Sequence, residues 1–107
     1  MSSENGLQSE HLFSLGRTVM SKGIYQKMIM DRAFIGGVLT ALTRHSMGDW
    51  GDLCDNDKEM NDRALKAELE GRHTDILMST YTICGHKVNI LTEEDRSVTT
   101  VYFPEEN

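Results

Sequence analysis

The chain is poor in the residues that staple small proteins together. Its two cysteines, Cys54 and Cys84, lie thirty positions apart. They make no disulfide framework and no apolar signal-peptide core precedes the domain, so reduced thiols in a cytoplasmic setting are expected. The single proline, Pro104, sits near the end, and no Ser/Gly/Pro-rich stretch divides the 107 residues; one domain is expected. No apolar run is long enough to cross a bilayer, which argues against a membrane-spanning role. Basic residues are outnumbered, 11 against 17 acids for a formal charge of -6. That balance disfavours direct nucleic-acid binding through phosphate neutralisation. No phosphate-binding glycine motif, nucleophile elbow or zinc-protease helix motif occurs, which counts against the common enzyme classes.

Hydrophobic residues make up 38% of the chain, too many for a disordered protein. Residues 1–10 hold one large apolar side chain besides Met1 and are expected to form a loose tail ahead of a single domain over 11–107. Alternation from Phe13 to Val19 suggests a first strand. Ser21 reads as the N-cap of a short helix to Met30, with Ile24, Met28 and Ile29 facing inward. Asp31 caps a second and longest helix, to about residue 46, whose Phe34, Ile35, Val38, Leu39 and Leu42 form one stripe of the helical period. Gly36 and Gly37 weaken that helix and so point to close approach of another element. Gly48 reads as its left-handed stop. A capping box of Asn56 and Glu59 opens a third helix, with Met60, Ala64, Ala67 and nearby Leu53 as a thin apolar stripe. From Asp75 the period changes to two, and 76–83, 87–92 and 98–103 read as strands joined by short turns. The expected fold is α+β: an antiparallel sheet of three to four strands in the order β-α-α-α-β-β-β, with helices packed on one face.

The least ordinary segment is Asp49-Trp50-Gly51-Asp52, which sets the only tryptophan between two acids. Trp50 can plug the core while both aspartates cap turns, or the loop can be a binding site; both readings stay open. Asp55, Asp57 and Glu59 have the spacing of the first calcium ligands of an EF-hand, but Met60 and Lys66 stand where that loop requires glycine and glutamate. Cys84 and His86 lack a second close pair to complete a zinc site. Nothing local marks either thiol as an activated nucleophile for His45, His73 or His86. No metal and no cofactor are expected. An enzymatic alternative gathers His45, Asp49, Glu93, Asp95 and Arg96 into one pocket where a His-carboxylate pair does acid-base work.

Taken together, His45, Gly48-Asp49-Trp50-Gly51-Asp52-Leu53, Ser79, Tyr81 and Ile90-Leu91-Thr92-Glu93-Glu94-Asp95-Arg96-Ser97-Val98-Thr99-Thr100 with Pro104 resemble the small "plasmid-related" proteins of bacterial mobile elements. The resemblance spans roughly residues 12–106. The chain departs from that pattern at Cys84-Gly85, where Asp-Gly is more usual, and at Asn107, where tyrosine is usual. The resemblance implies a mobile-element setting and puts weight on His45, Asp49, Trp50, Asp52, Tyr81, Glu93, Asp95, Arg96 and Ser97 as a binding or motif cluster. Residues 54–107 hold twelve acids and six bases, and a clustered negative surface steers association with a basic one. The expectation is therefore an accessory protein that binds a host or element-encoded protein with a basic surface, inhibition of CRISPR or restriction defence being one form of that role. The small enzyme above and a plain oligomerisation module are the alternatives. Arg96 is expected to fold back on Asp49 and Asp52 and pin their loop to the sheet.

Overall fold

The computed structural model describes residues 11–106; the expected tail at 1–10 and Asn107 lie outside the described residues. The elements run β1 (Arg17–Met20), α1 (Lys22–Met30), α2 (Arg32–Ser46), α3 (Asp55–Leu69), β2 (Leu77–Ile83), β3 (His86–Thr92) and β4 (Val98–Tyr102), closed by a 3-10 turn at Pro104–Glu106. This is the expected α+β order, with strand order β1-β4-β3-β2 in one sheet. β2, β3 and β4 form the expected antiparallel meander, but β1 runs parallel to β4, Arg17 beside Val98 and Met20 beside Val101. The sheet is therefore mixed. Three helices separate β1 from the meander, and a connection of that length permits parallel pairing where a tight turn would forbid it. No helix of the described residues is long and apolar enough to cross a membrane.

Local chemistry explains most boundaries. The Ser21 hydroxyl accepts from the Ile24 amide and the Asp31 carboxylate from the Ala33 amide, two of the donors that a helix start leaves open. The Glu106 carboxylate joins the first cap, accepting from the Ser21 hydroxyl at 2.6 Å and the Gly23 amide at 2.9 Å. Gly48, at φ +81°, ends α2 as a left-handed stop. The expected capping box does not form: α3 begins two residues earlier, at Asp55, and its N-cap Cys54 makes no side-chain cap bond. Asp55 and Asp57 still lie in its positive first turn. β1 is shorter than the expected Phe13–Val19 run, because Phe13 packs into the core ahead of the sheet.

Period-two burial places Leu77, Ser79, Tyr81 and Ile83 of β2, Val88, Ile90 and Thr92 of β3, and Thr99 and Val101 of β4 inward. Against them α1 and α2 supply Ile24, Phe34, Val38, Ala41 and Leu42, and a second cluster joins Phe13, Trp50, Leu65 and Leu77. Ile29, Leu39 and Met60, read as inward, are exposed. Each helix buries a stripe narrower than its apolar content, and on α3 that stripe is centred on Leu65. Of the two glycines in α2, only Gly37 has the expected close neighbour. A Cβ there would collide with Cγ2 of buried Ile83, whereas one at Gly36 would meet open space. Gly36→Ala should stabilise the protein by about 0.5–1 kcal/mol, and Gly37→Ala should destabilise it; urea unfolding of the two variants checks the contrast.

Candidate functional site

The C-terminal turn of α2 carries His45 into the core, where it is fully buried. Its Nδ1 lies in short contact with the Ser79 hydroxyl and its Nε2 2.9 Å from the Thr92 hydroxyl. The chain continues on both sides. Thr92 contacts Thr99 at 2.7 Å, and the Thr99 hydroxyl donates to the Leu15 carbonyl at 2.6 Å. On the other side the Tyr81 hydroxyl lies 3.0 Å from Ser79 and 2.6 Å from the Asp49 carbonyl. Both ends of this chain are carbonyls, which can only accept.

The protons available along the chain, taken with its distances, favour one tautomer. With the proton on Nε2, imidazole donates to Thr92, Thr92 to Thr99 and Thr99 to Leu15, while Ser79 donates to Nδ1. The single Tyr81 proton is then shared between Asp49 and Ser79. With the proton on Nδ1 the Ser79–Tyr81–Asp49 arm is fully served and the shortfall moves to Thr99, which has one proton for its contacts with Thr92 at 2.7 Å and the Leu15 carbonyl at 2.6 Å; five protons serve six contacts in either neutral form. The Nε2–H form leaves the unserved contact at the longest of the oxygen–oxygen distances, Tyr81 to Ser79 at 3.0 Å, and is the tautomer the distances favour. Burial pushes its pKa down to about 4, and the Arg96 charge acts in the same direction. Burial likewise pushes Tyr81 up to about 12.

Around this chain the Gly48–Asp52 loop closes one edge of the sheet. The Asp52 amide donates to the Thr80 carbonyl at 2.7 Å, the Thr80 amide reaches the Trp50 carbonyl at 3.4 Å, and the Asn61 side chain donates to the Met78 carbonyl at 2.7 Å. Gly51, at φ +71°, is required here, since a Cβ would strike the Thr80 carbonyl and the Tyr81 ring. Trp50 is buried at the junction of α2, α3 and the sheet, as the plug reading of its loop requires. It lies edge-on to His45, stacks on Phe13, and donates its indole N–H to Asp62 of α3 at 2.8 Å. Asp49 accepts a fork of two bonds from Arg44 at 2.8 and 3.2 Å, and that hydrogen-bonded partner holds its carboxyl below the ordinary range. Asp52 is held low by the Thr82 hydroxyl and by Lys87.

Arg96 does not pin this loop. Its guanidinium forks onto Glu68 of α3, with its shortest bond at 2.7 Å, donates to the Glu93 carbonyl at 2.7 Å, and lies over the Phe13 ring. The positive φ of Arg96, +61°, turns the chain inward at this point, so the side chain leaves the turn toward α3. Glu93, Asp95 and Ser97 remain on the exposed turn, where the Ser97 hydroxyl and amide hold the Asp95 carboxyl low. The His-carboxylate pair expected of an enzyme does not form, because both His45 nitrogens face hydroxyls. A cleft of about 280 Å³ between α2 and β2 is lined by Arg44, Tyr81 and Cys84 among others, and by none of His45, Glu93, Asp95 or Arg96. Both cysteines are free and exposed, and no cluster of metal-ligating side chains occurs among the described residues.

Sequence reasoning missed Asp62, Asn61 and Glu68, the α3 partners of Trp50, β2 and Arg96. All three lie among the charged and amide residues of α3, and nothing in their spacing separates them from its solvated face. Comparison with known protein families, with curated proteins and with solved structures finds no match to this chain.

Two outcomes follow from this geometry. Arg96→Lys should destabilise the protein nearly as much as Arg96→Ala, by about 3 kcal/mol, because an ammonium cannot fork onto Glu68 while also holding the Glu93 carbonyl; chemical denaturation of both variants checks this. His45 takes up a proton in the unfolded chain near 6.5 but in the folded one only near 4. Its contribution is therefore complete above pH 6.5 and is lost as pH falls toward 4, by roughly 2 to 3 kcal/mol. Urea unfolding between pH 7 and 4.5 should show that decline in the wild type and a shallower one in His45→Asn.

Proposed function

We propose that this chain is an accessory protein of a mobile element that acts in the cytoplasm by binding a protein with a basic surface. One arrangement carries the reading: the side chains with chemical potential are consumed by the scaffold, while uncompensated acids face solvent. His45, Ser79, Tyr81, Thr92 and Thr99 bond one another in the core. Arg44, Lys87 and Arg96 are each committed to an acid. Among the described residues, Asp55, Asp57, Glu93, Glu94 and Asp95 are exposed and make no ion pair within 4.0 Å. The Arg96–Glu68 bridge ties the turn carrying the last three to the C-terminal end of α3, whose first turn, about 20 Å along the helix, carries the first two, and it uses up the only cation of that turn. A fixed negative surface attracts a basic partner at long range and loses that attraction as salt screens it.

The resemblance to the plasmid-related proteins supports the mobile-element setting. An inhibitor of CRISPR or restriction machinery fits the same chemistry, since such machinery presents basic nucleic-acid channels that an acidic surface can occupy. The test is a pull-down from bacterial lysate on the immobilised chain at low and high salt, alongside a variant reversing Asp55, Asp57, Glu93 and Glu94 to lysine. A partner held at low salt, released at high salt and not held by the variant is expected. Absence of any salt-sensitive partner, or equal retention by the reversed variant, contradicts the reading.

A further inference from the structure

Strand alternation turns Leu91 of β3 and Thr100 and Tyr102 of β4 away from the helices, and all three are half-buried. They floor a groove of about 330 Å³ whose remaining lining is Ser21, Glu93 and Glu106. One wall is aromatic. The Tyr102 hydroxyl lies 3.7 Å from the Met78 sulfur of β2, so its ring extends over β3, the strand between them. The volume is at the lower end of ligand pockets, about 300–1,000 Å³, and suits one long side chain rather than a folded element.

Both charged groups in the lining are acids, and no cation lines the groove. Glu106 accepts from the Ser21 hydroxyl and from the Phe103 and Gly23 amides. These neutral donors hold its carboxyl below the ordinary range and leave its negative charge in place. The N-terminal dipole of α1 offsets part of that charge, and no full cation does. Glu93 is exposed and makes no ion pair within 4.0 Å among the described residues. Two cations belong to the same face of the sheet. Lys87 is spent on Asp52 at 3.2 Å. Arg17 stands beside Val98, at the Glu93 end, but lies outside the lining and reaches no acid within 4.0 Å among the described residues.

We infer that this groove seats one lysine or arginine side chain of the basic partner, with its methylene stem on Leu91 and Tyr102 and its charged head between Glu93 and Glu106. A long basic side chain meets both halves of the lining, because it buries its stem along apolar surface and keeps its head among polar groups. The Tyr102 ring adds a face that attracts a cation. The inference rests on the proposed binding of a basic protein and narrows it from an acidic surface to one groove of the sheet.

The test uses the full chain, labelled with nitrogen-15, titrated with the blocked tripeptide glycine-arginine-glycine and with its citrulline counterpart, which keeps the shape and loses the charge. Saturable shifts confined to the groove residues and their sheet neighbours are expected with arginine, and none with citrulline. Glu93→Gln should weaken binding by about two- to fivefold, the size of an exposed ion pair. Thr100→Phe fills the middle of the groove and leaves every acid in place, so it should abolish the shifts. Should that variant fail to fold, the citrulline comparison and Glu93→Gln decide the matter. No shifts, shifts centred on the first turn of α3, equal binding of the citrulline peptide, or unchanged binding by Thr100→Phe would each overturn the assignment. The lysate pull-down separates this inference from the wider reading. A salt-sensitive partner held equally by the wild type and by Thr100→Phe contradicts the groove alone, whereas a seated arginine peptide with no salt-sensitive partner contradicts the wider reading.

Discussion

A buried imidazole with no acid beside it is the constraint on which the rest of this structure depends. His45 cannot stay in the core unless both nitrogens are bonded, and the side chains that bond them must themselves be bonded. The resulting chain runs from the Leu15 carbonyl through Thr99, Thr92, His45, Ser79 and Tyr81 to the Asp49 carbonyl. It touches the lead-in to β1, then β4, β3, α2, β2 and the loop after α2. A slip of one residue in β3 would carry Thr92 to the other face of the sheet and leave Nε2 without a partner. Among the described residues no buried side-chain polar atom lacks a bond, so the network fixes strand register and is not a store of unmet polarity.

A second layer of contacts carries this order outward. Trp50 packs edge-on against His45 and stacks on Phe13, and the other end of Phe13's environment is the Arg96 guanidinium. Arg96 in turn holds Glu68. The loop after α2 and the turn between β3 and β4 are thus joined through an aromatic pair and α3. Burial explains why the joining cation must be arginine: its side chain is 9% exposed and Glu68 is 19% exposed, a setting where a planar fork satisfies what an ammonium would leave open. The acids of the turn stay outside this layer, which is why the motif combines a buried base with a solvated acidic rim.

Much of the fold was legible because its signals are local. Ser21 and Asp31 cap where expected, Gly48 stops α2, and the change to period two marks the meander to within a residue or so at each end. Burial of Trp50 fits the plug reading, one of the two that the sequence left open for its loop. What escaped was set by tertiary packing. The parallel pairing of β1 depends on where three helices return the chain, and the choice of Glu68 over Asp49 or Asp52 depends on the left-handed backbone at Arg96. Cys54 displaces Asn56 as the cap of α3 because the 50–52 segment is already held against β2 and delivers the helix start two residues early. Of the candidate site, the residues were legible and their grouping was not: hydroxyl-bearing Ser79, Thr92 and Thr99 look like ordinary strand residues until His45 is placed among them.

The central claim is that His45 is a neutral structural group, held in one tautomer by hydroxyls, and not an acid-base catalyst. Nitrogen-15 NMR of the histidine side chains across pH tests it most directly. The account predicts that the His45 resonances report the Nε2–H tautomer and do not titrate above about pH 4.5 while the protein remains folded, in line with a pKa near 4. A His45 ring that titrates near 6.5 in the folded protein, or that carries its proton on Nδ1, would contradict it.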